Sequence, residues 1–437
     1  MSLILSNLFR KAVLFVGKRK MLPVDQRVVP YLCGNGDMLF CYFSLGLLLQ
    51  IPVTVMRYFL VEKVGLGPAE LAEAAALITF PWAVKPLTAF LSENIVSRCI
   101  RRNIQIAAAY GLAGLCWFAF LLFDHDRASL FLVLLYAFLA SFFTSYADVC
   151  LDACMVRRIH LDSSVHGGGR LQSFVLASRA FGSLVGSFVS GGLALFVQPF
   201  LLIAILHCTG VVAGCYLRSL PVGRGNSETH KSTCAVCSDT CSALLWTERL
   251  IFVAVLFAIA TPVSDFAIMQ YFFQTKKKVA PMTFSLSDAL ASVMTILASL
   301  FFNAFLRDKA WQSIVMLSQC ILFALLAMNM LLLVGLVDID AGLYLVGRSV
   351  VGGFFGHIGF MPLVVRAADL VPDGLEGTFY SLYMSTVNLG SVVGEELSGL
   401  LTKTIGTTSN TALLCFYLIA IVHNIVSFLT FHLAYGG

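Results

Sequence analysis

The chain has 437 residues, of which 59% are hydrophobic and only 12% charged, and its mean hydropathy is +0.87. A soluble domain carries about 25% charged residues, so a chain this long and this poor in charge cannot cover itself with a solvated surface and belongs in a lipid bilayer. The net charge of +5 sits largely in short loops without interleaved aromatics, which excludes a nucleic-acid surface. The 13 cysteines lie mostly in apolar runs, where a thiol packs as a small hydrophobe and implies no disulfide framework.

A spanning helix needs about 20 mostly apolar residues. A basic N-terminal segment, residues 1–30, precedes the first apolar run, and its own apolar stretch is too short for a signal-peptide core. Six runs then follow, near residues 36–60, 72–91, 104–123, 130–156, 171–197 and 200–217. A polar loop, 219–248, separates them from six more, near 250–273, 283–306, 311–337, 342–365, 377–401 and 412–431. The predicted architecture is all-α, with twelve transmembrane helices in two bundles over 31–218 and 249–437.

Basic residues such as Arg98, Arg101, Arg157, Arg218, Arg249 and Arg366 fall in loops on the same side as the N-terminus. The positive-inside bias therefore places both termini in the cytoplasm. Lys276, Lys277 and Lys278, in an outward loop, run against it.

The chain also repeats itself. An offset of 208 residues lays GSLVGSFVSG (182–191) on GSVVGEELSG (390–399), and carries Gly169 onto Gly377, Ser173 onto Ser381 and Arg158 onto Arg366. Run five thus corresponds to run eleven, as in two parallel six-helix halves of the major facilitator fold.

Charges inside these runs are the functional candidates, because a charge in hydrocarbon costs several kcal/mol unless it faces a partner or a wet cavity. Asp148 and Asp152, four residues apart in run four, share one helix face. Asp37, Lys85 and Arg179 complete the set of the first half. Asp265, Asp288, Arg348, Glu395 and Glu396 form that of the second. Runs three, six, nine and twelve hold no such charge, matching a facilitator in which every third helix is peripheral. Lys85 lies between Pro81 and Pro86, where proline frees backbone carbonyls that a Lys can bond, unless it pairs with an acid. His230, Cys234, Cys237 and Cys241 in the central loop have zinc-type spacing, but a lone cluster in such a loop more often does nothing or is acylated, and no metal is expected. No phosphate-binding glycine loop, nucleophile elbow or HExxH motif is present, so neither an enzyme nor a cofactor is predicted.

Several segments resemble signatures of the folate–biopterin transporter family: PWAVKPLTAFLSE (81–93), ADVCLDA (147–153), GGGRLQS (167–173), ATPVSD (260–265), and above all MPLVVRAADLVPDGLEGTFYSLYMSTVNLGS (361–391). The resemblance spans most of the chain. It implies a major-facilitator-type carrier of folates or pterins, some members moving other solutes such as S-adenosylmethionine. Lys85, Asp148, Asp152, Arg170, Gln172, Asp265, Glu376 and Glu396 stand where the family motifs have matching residues. Ser92–Glu93 replaces an acidic SD pair, Arg101–Arg102 lacks the usual preceding tyrosine, and Glu395 adds an acid where a small residue is usual.

The expected substrate contacts are Lys85, Asp148, Arg179, Asp265 and Arg348: cations for the carboxylates of a folate tail, acids for the pterin edge. Asp148 is the first choice for a proton-coupling carboxylate, with Asp152, Glu396 and Asp37 as further coupling or gating candidates. The expected partners are a folate- or pterin-like solute, protons and the bilayer, with a monomer sufficient and the plasma membrane preferred to an organelle envelope. Two alternatives stand: a carrier of S-adenosylmethionine, an amino acid or another small solute, and a non-transporting receptor or scaffold. Buried charges speak against the scaffold.

Overall fold

The computed structural model describes residues 34–94, 96, 99–122, 130–161, 167–196, 198–218, 247–306, 309–370, 376–407 and 409–435. The basic N-terminal segment and residues 219–246, with the His230/Cys234/Cys237/Cys241 cluster, lie outside the described residues. So do the side chains of Arg170, Gln172 and Glu376.

Each apolar run becomes a helical element: α1 Gly36–Tyr58, α2 Pro68–Ala83 continuing past Val84 as Lys85–Asn94, α3 Arg102–Ala119, α4 Leu130–Leu161, α5 Gly167–Leu193 and α6 Pro199–Tyr216. The second half follows with α7 Thr247–Ala260 resuming as Phe266–Tyr271, α8 Pro281–Phe301, α9 Trp311–Leu333, α10 Ala341–Asp369, α11 Glu376–Ile405 and α12 Asn410–Tyr435. Pro68, Pro199 and Pro281 open α2, α6 and α8, where a missing N–H costs nothing. Among the described residues, nine of these helices are long and apolar enough to cross a bilayer. The other three fall short for visible reasons. α3 starts on the polar RNIQ, α7 is interrupted, and α11 mixes Ser, Thr and Gly with Glu395 and Glu396.

Two interruptions follow from proline. In α2 the turn at Val84 precedes Pro86, whose ring nitrogen cannot bond the Trp82 carbonyl four residues back. Asn388 Nδ2 of α11 donates to that carbonyl instead, at 3.0 Å. Run seven, expected as one helix, breaks over 261–265, where Pro262 removes a donor and pushes Thr261 toward extended backbone.

Most buried apolar residues from Met38 to Leu217 form one continuous cluster, whose only buried member from the second half among the described residues is Ala267, while Tyr58 packs with the second half's own cluster. Within the first cluster α1 and α5 approach backbone to backbone. A Cβ on Gly46 would lie 1.9 Å from the Arg179 carbonyl oxygen, and one on Gly182 would lie 2.0 Å from that of Phe43. Only glycine fits at either point. Ser178 Oγ donates to the Leu39 carbonyl at 2.7 Å, so the height of Arg179 against α1 is set by backbone contact.

Between the halves, α2 packs on α11 and α5 packs on α8, and these two contacts exchange under the sequence repeat. Polar links between the halves include Thr54 with Ser285 (3.0 Å), Arg57 with Asp288 (2.8 Å), Gln274 with Glu62 (3.3 Å) and Lys403 with Glu73 (2.6 Å). All four belong to the end of the bundle where α1 finishes and α2 begins.

At that end the repeat extends beyond what residue matching shows. α1 and α7 both run into a π-helical turn, Phe59–Lys63 and Phe272–Lys276. Val64 N–H donates to the Phe59 carbonyl and Lys277 N–H to the Phe272 carbonyl, both at 3.1 Å. The wrap then closes from Leu66 N–H to the Leu60 carbonyl (3.0 Å) and from Val279 N–H to the Phe273 carbonyl (2.9 Å). The left-handed position is Gly65 in one copy (φ 78°) and Lys278 in the other (φ 49°). A side chain there costs about 1–2 kcal/mol, partly offset because glycine gains freedom in the unfolded chain. Lys278→Gly is therefore expected to stabilise the protein by roughly 0.5–1 kcal/mol, and Gly65→Lys to destabilise it. Thermal unfolding of the purified protein in lipid nanodiscs measures both, and a lowered midpoint for Lys278→Gly would contradict the strain.

Candidate functional site

In the first half the charges converge on Asp148, whose side chain is wholly buried on α4. Lys85 Nζ, at the restart of α2, donates to one carboxylate oxygen, and Arg179 Nη1 of α5 reaches the other at 3.3 Å. The same Lys85 Nζ lies 4.5 Å from the ring centroid of Trp82, a cation–π contact. One turn along α4, Asp152 accepts a 2.7 Å hydrogen bond from Tyr42 Oη of α1. The shared helix face of Asp148 and Asp152 thus collects α1, α2, α4 and α5 around one polar centre. In a low-dielectric interior the carboxylate persists as an ion only because cations match it.

The second half builds its own centre where α7 resumes. Asp265 accepts from Arg348 Nη2 of α10 (3.1 Å), Asn329 Nδ2 of α9 (2.6 Å) and Tyr417 Oη of α12 (3.1 Å). In both centres the acid is hidden and the arginine is reachable. The side chains of Arg179 and Arg348 are 31% and 24% exposed, against 0% and 8% for Asp148 and Asp265. Each guanidinium is oriented by its carboxylate and keeps donors for an anionic ligand.

Residues 45–435 match the BT1 family. The chain belongs to that family. Relatives of this BT1-family protein include the folate-biopterin transporter of Synechocystis sp., 26% identical over 386 residues that cover 85% of this chain and 75% of that one. Folate transporter 1 of Plasmodium falciparum is 24% identical over 361 residues, covering 80% and 69% of the two chains. The crystal structure of the nucleoside transporter NupG superposes with a TM-score of 0.67 at 13% identity, covering 91% of this chain and 98% of that one. At that identity the likeness speaks for the fold, which is the major facilitator arrangement expected from the repeat.

Within the BT1-family protein, the five expected substrate contacts fall into the two centres: Lys85, Asp148 and Arg179 in one, Asp265 and Arg348 in the other. Asp152 joins the first. Asp37 does not. It lies near the start of α1, paired with Arg158 of α4 and accepting from the Arg218 backbone N–H at 2.9 Å. Arg366 of α10 pairs in the same way with Glu248 at the start of α7, so the clamp between first and fourth helix occurs once in each half. Glu396 is exposed near Glu73 and Lys403, whereas its neighbour Glu395 turns inward to Ser264 of α7.

Arg57, Tyr42, Asn329 and Trp82 are the residues sequence reading passed over. Arg57 reads as a helix-end charge, yet it pairs with Asp288 across the halves and lies 4.8 Å from the Phe266 ring centroid. The other three carry no charge signal, and only their placement beside Asp152, Asp265 and Lys85 reveals them. A cavity of about 520 Å³ opens between the two π-helical turns, lined by Tyr58, Glu62, Gln274, Lys278 and Pro281 among others. Neither Asp148 nor Asp265 lines it, so it is a rim feature separate from the charged centres.

Removing Asp148 leaves two cations without their partner. Asp148→Leu is expected to cost about 3 kcal/mol, and adding Lys85→Met in the same chain to recover more than half of it. Unfolding midpoints of both singles and the double variant test this, and losses that merely add would show that Lys85 does not depend on Asp148.

Proposed function

We propose that this protein is a secondary active transporter that carries folate or pterin-type solutes across a membrane by alternating access, coupled to protons. The observation that carries the reading is the pair of arginines, Arg179 and Arg348, with partly exposed side chains, each held by a buried carboxylate in a different half. The relatives named as folate-biopterin and folate transporters support the substrate class. A folate tail presents carboxylates, which arginine binds with charge-assisted hydrogen bonds. Its flat pterin ring suits an aromatic neighbour such as Trp82, and its amino edge suits an acid such as Asp152 or Asp265.

Arg179 reaches Asp148 at 3.3 Å and shares that carboxylate with Lys85, so an incoming carboxylate competes for Arg179 while Lys85 keeps Asp148 neutralised. A ligand touching both halves favours the state in which the two arginines approach it, and rocking follows from that differential contact. With both termini cytoplasmic, the joined end where α1 passes to α2 is the outer one, and the arrangement is closed outward. The Arg57–Asp288 pair then acts as an outer latch that parts on each cycle. A monomer in the plasma membrane suffices for this cycle.

Uptake of labelled folate into transport-deficient cells tests the reading. Losing a hydrogen bond to a charged group costs about 1.5–3 kcal/mol, so Arg179→Ala and Arg348→Ala are each expected to weaken apparent affinity by roughly 10- to 100-fold. Uptake that is absent, with the protein correctly inserted, or that unlabelled S-adenosylmethionine suppresses while folate does not, would overturn the substrate class. The latch has its own test. Arg57→Asp and Asp288→Arg are each expected to lower uptake and the reversed pair to restore it; a double variant no better than either single one would dismiss it.

A further inference from the structure

We propose that Glu395, at the break in α7, is the carboxyl group that carries the coupling proton. This rests on the proton-coupled transport proposed above and names the group responsible.

Glu395 differs from Asp148 and Asp265, the paired acids of the two centres, in having no cation in contact with it among the described residues. Its Oε1 is 2.7 Å from Ser264 Oγ, and its Oε2 is buried with no hydrogen-bond partner among them. Asp148 has Lys85 and Arg179, and Asp265 has Arg348. A carboxylate buried with one hydroxyl partner bears most of its desolvation cost uncompensated, and a proton on the group removes that cost. The neutral carboxyl can donate to Ser264 Oγ, which also accepts the Phe266 N–H at 3.2 Å where α7 resumes. The unwound segment is tied to the same stretch of α11, with Ser264 N–H directed at the Gly394 carbonyl (3.4 Å).

Among the described residues, the Ser264 hydroxyl favours the charged form of Glu395, but no cation in contact joins it. From α7, the acid in range is Asp265, itself engaged by Arg348 of α10 and Tyr417 of α12. From α2, Glu73 is taken by Lys403 of α11. Glu396, next along α11, is exposed.

Position supplies the exchange route. Asn388, Glu395 and Gly399 are spaced by seven and four residues and so share one face of α11. Asn388 bonds the Trp82 carbonyl of α2, and a Cβ on Gly399 would lie 3.2 Å from the Ala69 carbonyl oxygen of α2. Glu395 therefore lies on the seam between the halves as well as on the α7 break. When this end is closed, as here, Oε2 is buried. Motion that separates α2 from α11 wets it and lets its proton exchange with that side only, while α7 passes the change to Asp265 and Arg348.

Purified protein in proteoliposomes separates this inference from the transport reading. Counterflow of labelled folate reports carrier activity without net proton movement, and accumulation driven by an imposed pH gradient reports coupling. Glu395→Gln is expected to keep counterflow and lose accumulation, down to the equilibrium level. Accumulation that persists in Glu395→Gln would overturn the assignment with the carrier intact. Absent counterflow in the unaltered protein would instead defeat the folate reading. In that case infrared titration in nanodiscs decides on Glu395: a carboxylic C=O band that disappears as pH rises and is missing from Glu395→Gln supports it. A band unchanged in that variant overturns it. Ser264→Ala, which removes the hydroxyl partner and keeps the acid, is expected to shift the band rather than abolish it.

Discussion

Asp148 has no exposed surface, and cations from two other helices meet on its two oxygens. An ion so placed cannot be left alone in a low-dielectric interior, so α2, α4 and α5 are bound to a common height in the bundle. The details around it serve that constraint. The α2 turn before Pro86 puts Lys85 beside the acid, Asn388 takes the carbonyl that the proline leaves free, and glycines at 46 and 182 let α5 come close enough to α1 to present Arg179. Asp265 plays the corresponding part for α7, α9, α10 and α12.

The internal repeat divides the charges into two kinds. Those present in both halves hold the scaffold: Asp37 with Arg158 and Glu248 with Arg366 each join a first helix to a fourth. The π-helical wraps at the ends of α1 and α7 are likewise duplicated to the hydrogen bond. Asp148 with Arg179, and Asp265 with Arg348, are among the charges without a like-charged counterpart at the repeat offset, as are Lys85 and Asp152. Duplication is what a shared packing requirement leaves behind, and asymmetry is what an asymmetric ligand demands of a symmetric frame.

Much of this was legible beforehand because the bilayer permits few solutions. Twelve apolar runs, a repeat in register and a map of buried charges were enough to place Lys85, Asp148, Arg179, Asp265 and Arg348 among the candidates. Less visible was the pairing. Helical spacing relates Asp148 to Asp152 along one helix but says nothing of Tyr42 or Arg57, whose partners are 110 and 231 residues distant. The break in α7 leaves no mark in the hydropathy pattern, because its Thr-Pro-Val-Ser stretch stays apolar on average and hydropathy does not register one missing backbone donor. Sequence alone favours Glu396 over Glu395, yet the helix turns about 100° between them, which sends Glu395 inward to Ser264 and Glu396 outward.

The sequence by itself determined that the chain lies in a membrane, that it folds as two related helical halves, and most of the charges those halves bury. Composition and periodicity settle these because hydrocarbon tolerates neither unpaired backbone nor solitary ions. Tertiary structure alone decided which charge meets which, which acids are left without an ion pair among the described residues, and which end of the bundle is joined. Those outcomes depend on side chains far apart in the chain arriving within about 3 Å of each other, a distance that no local pattern encodes.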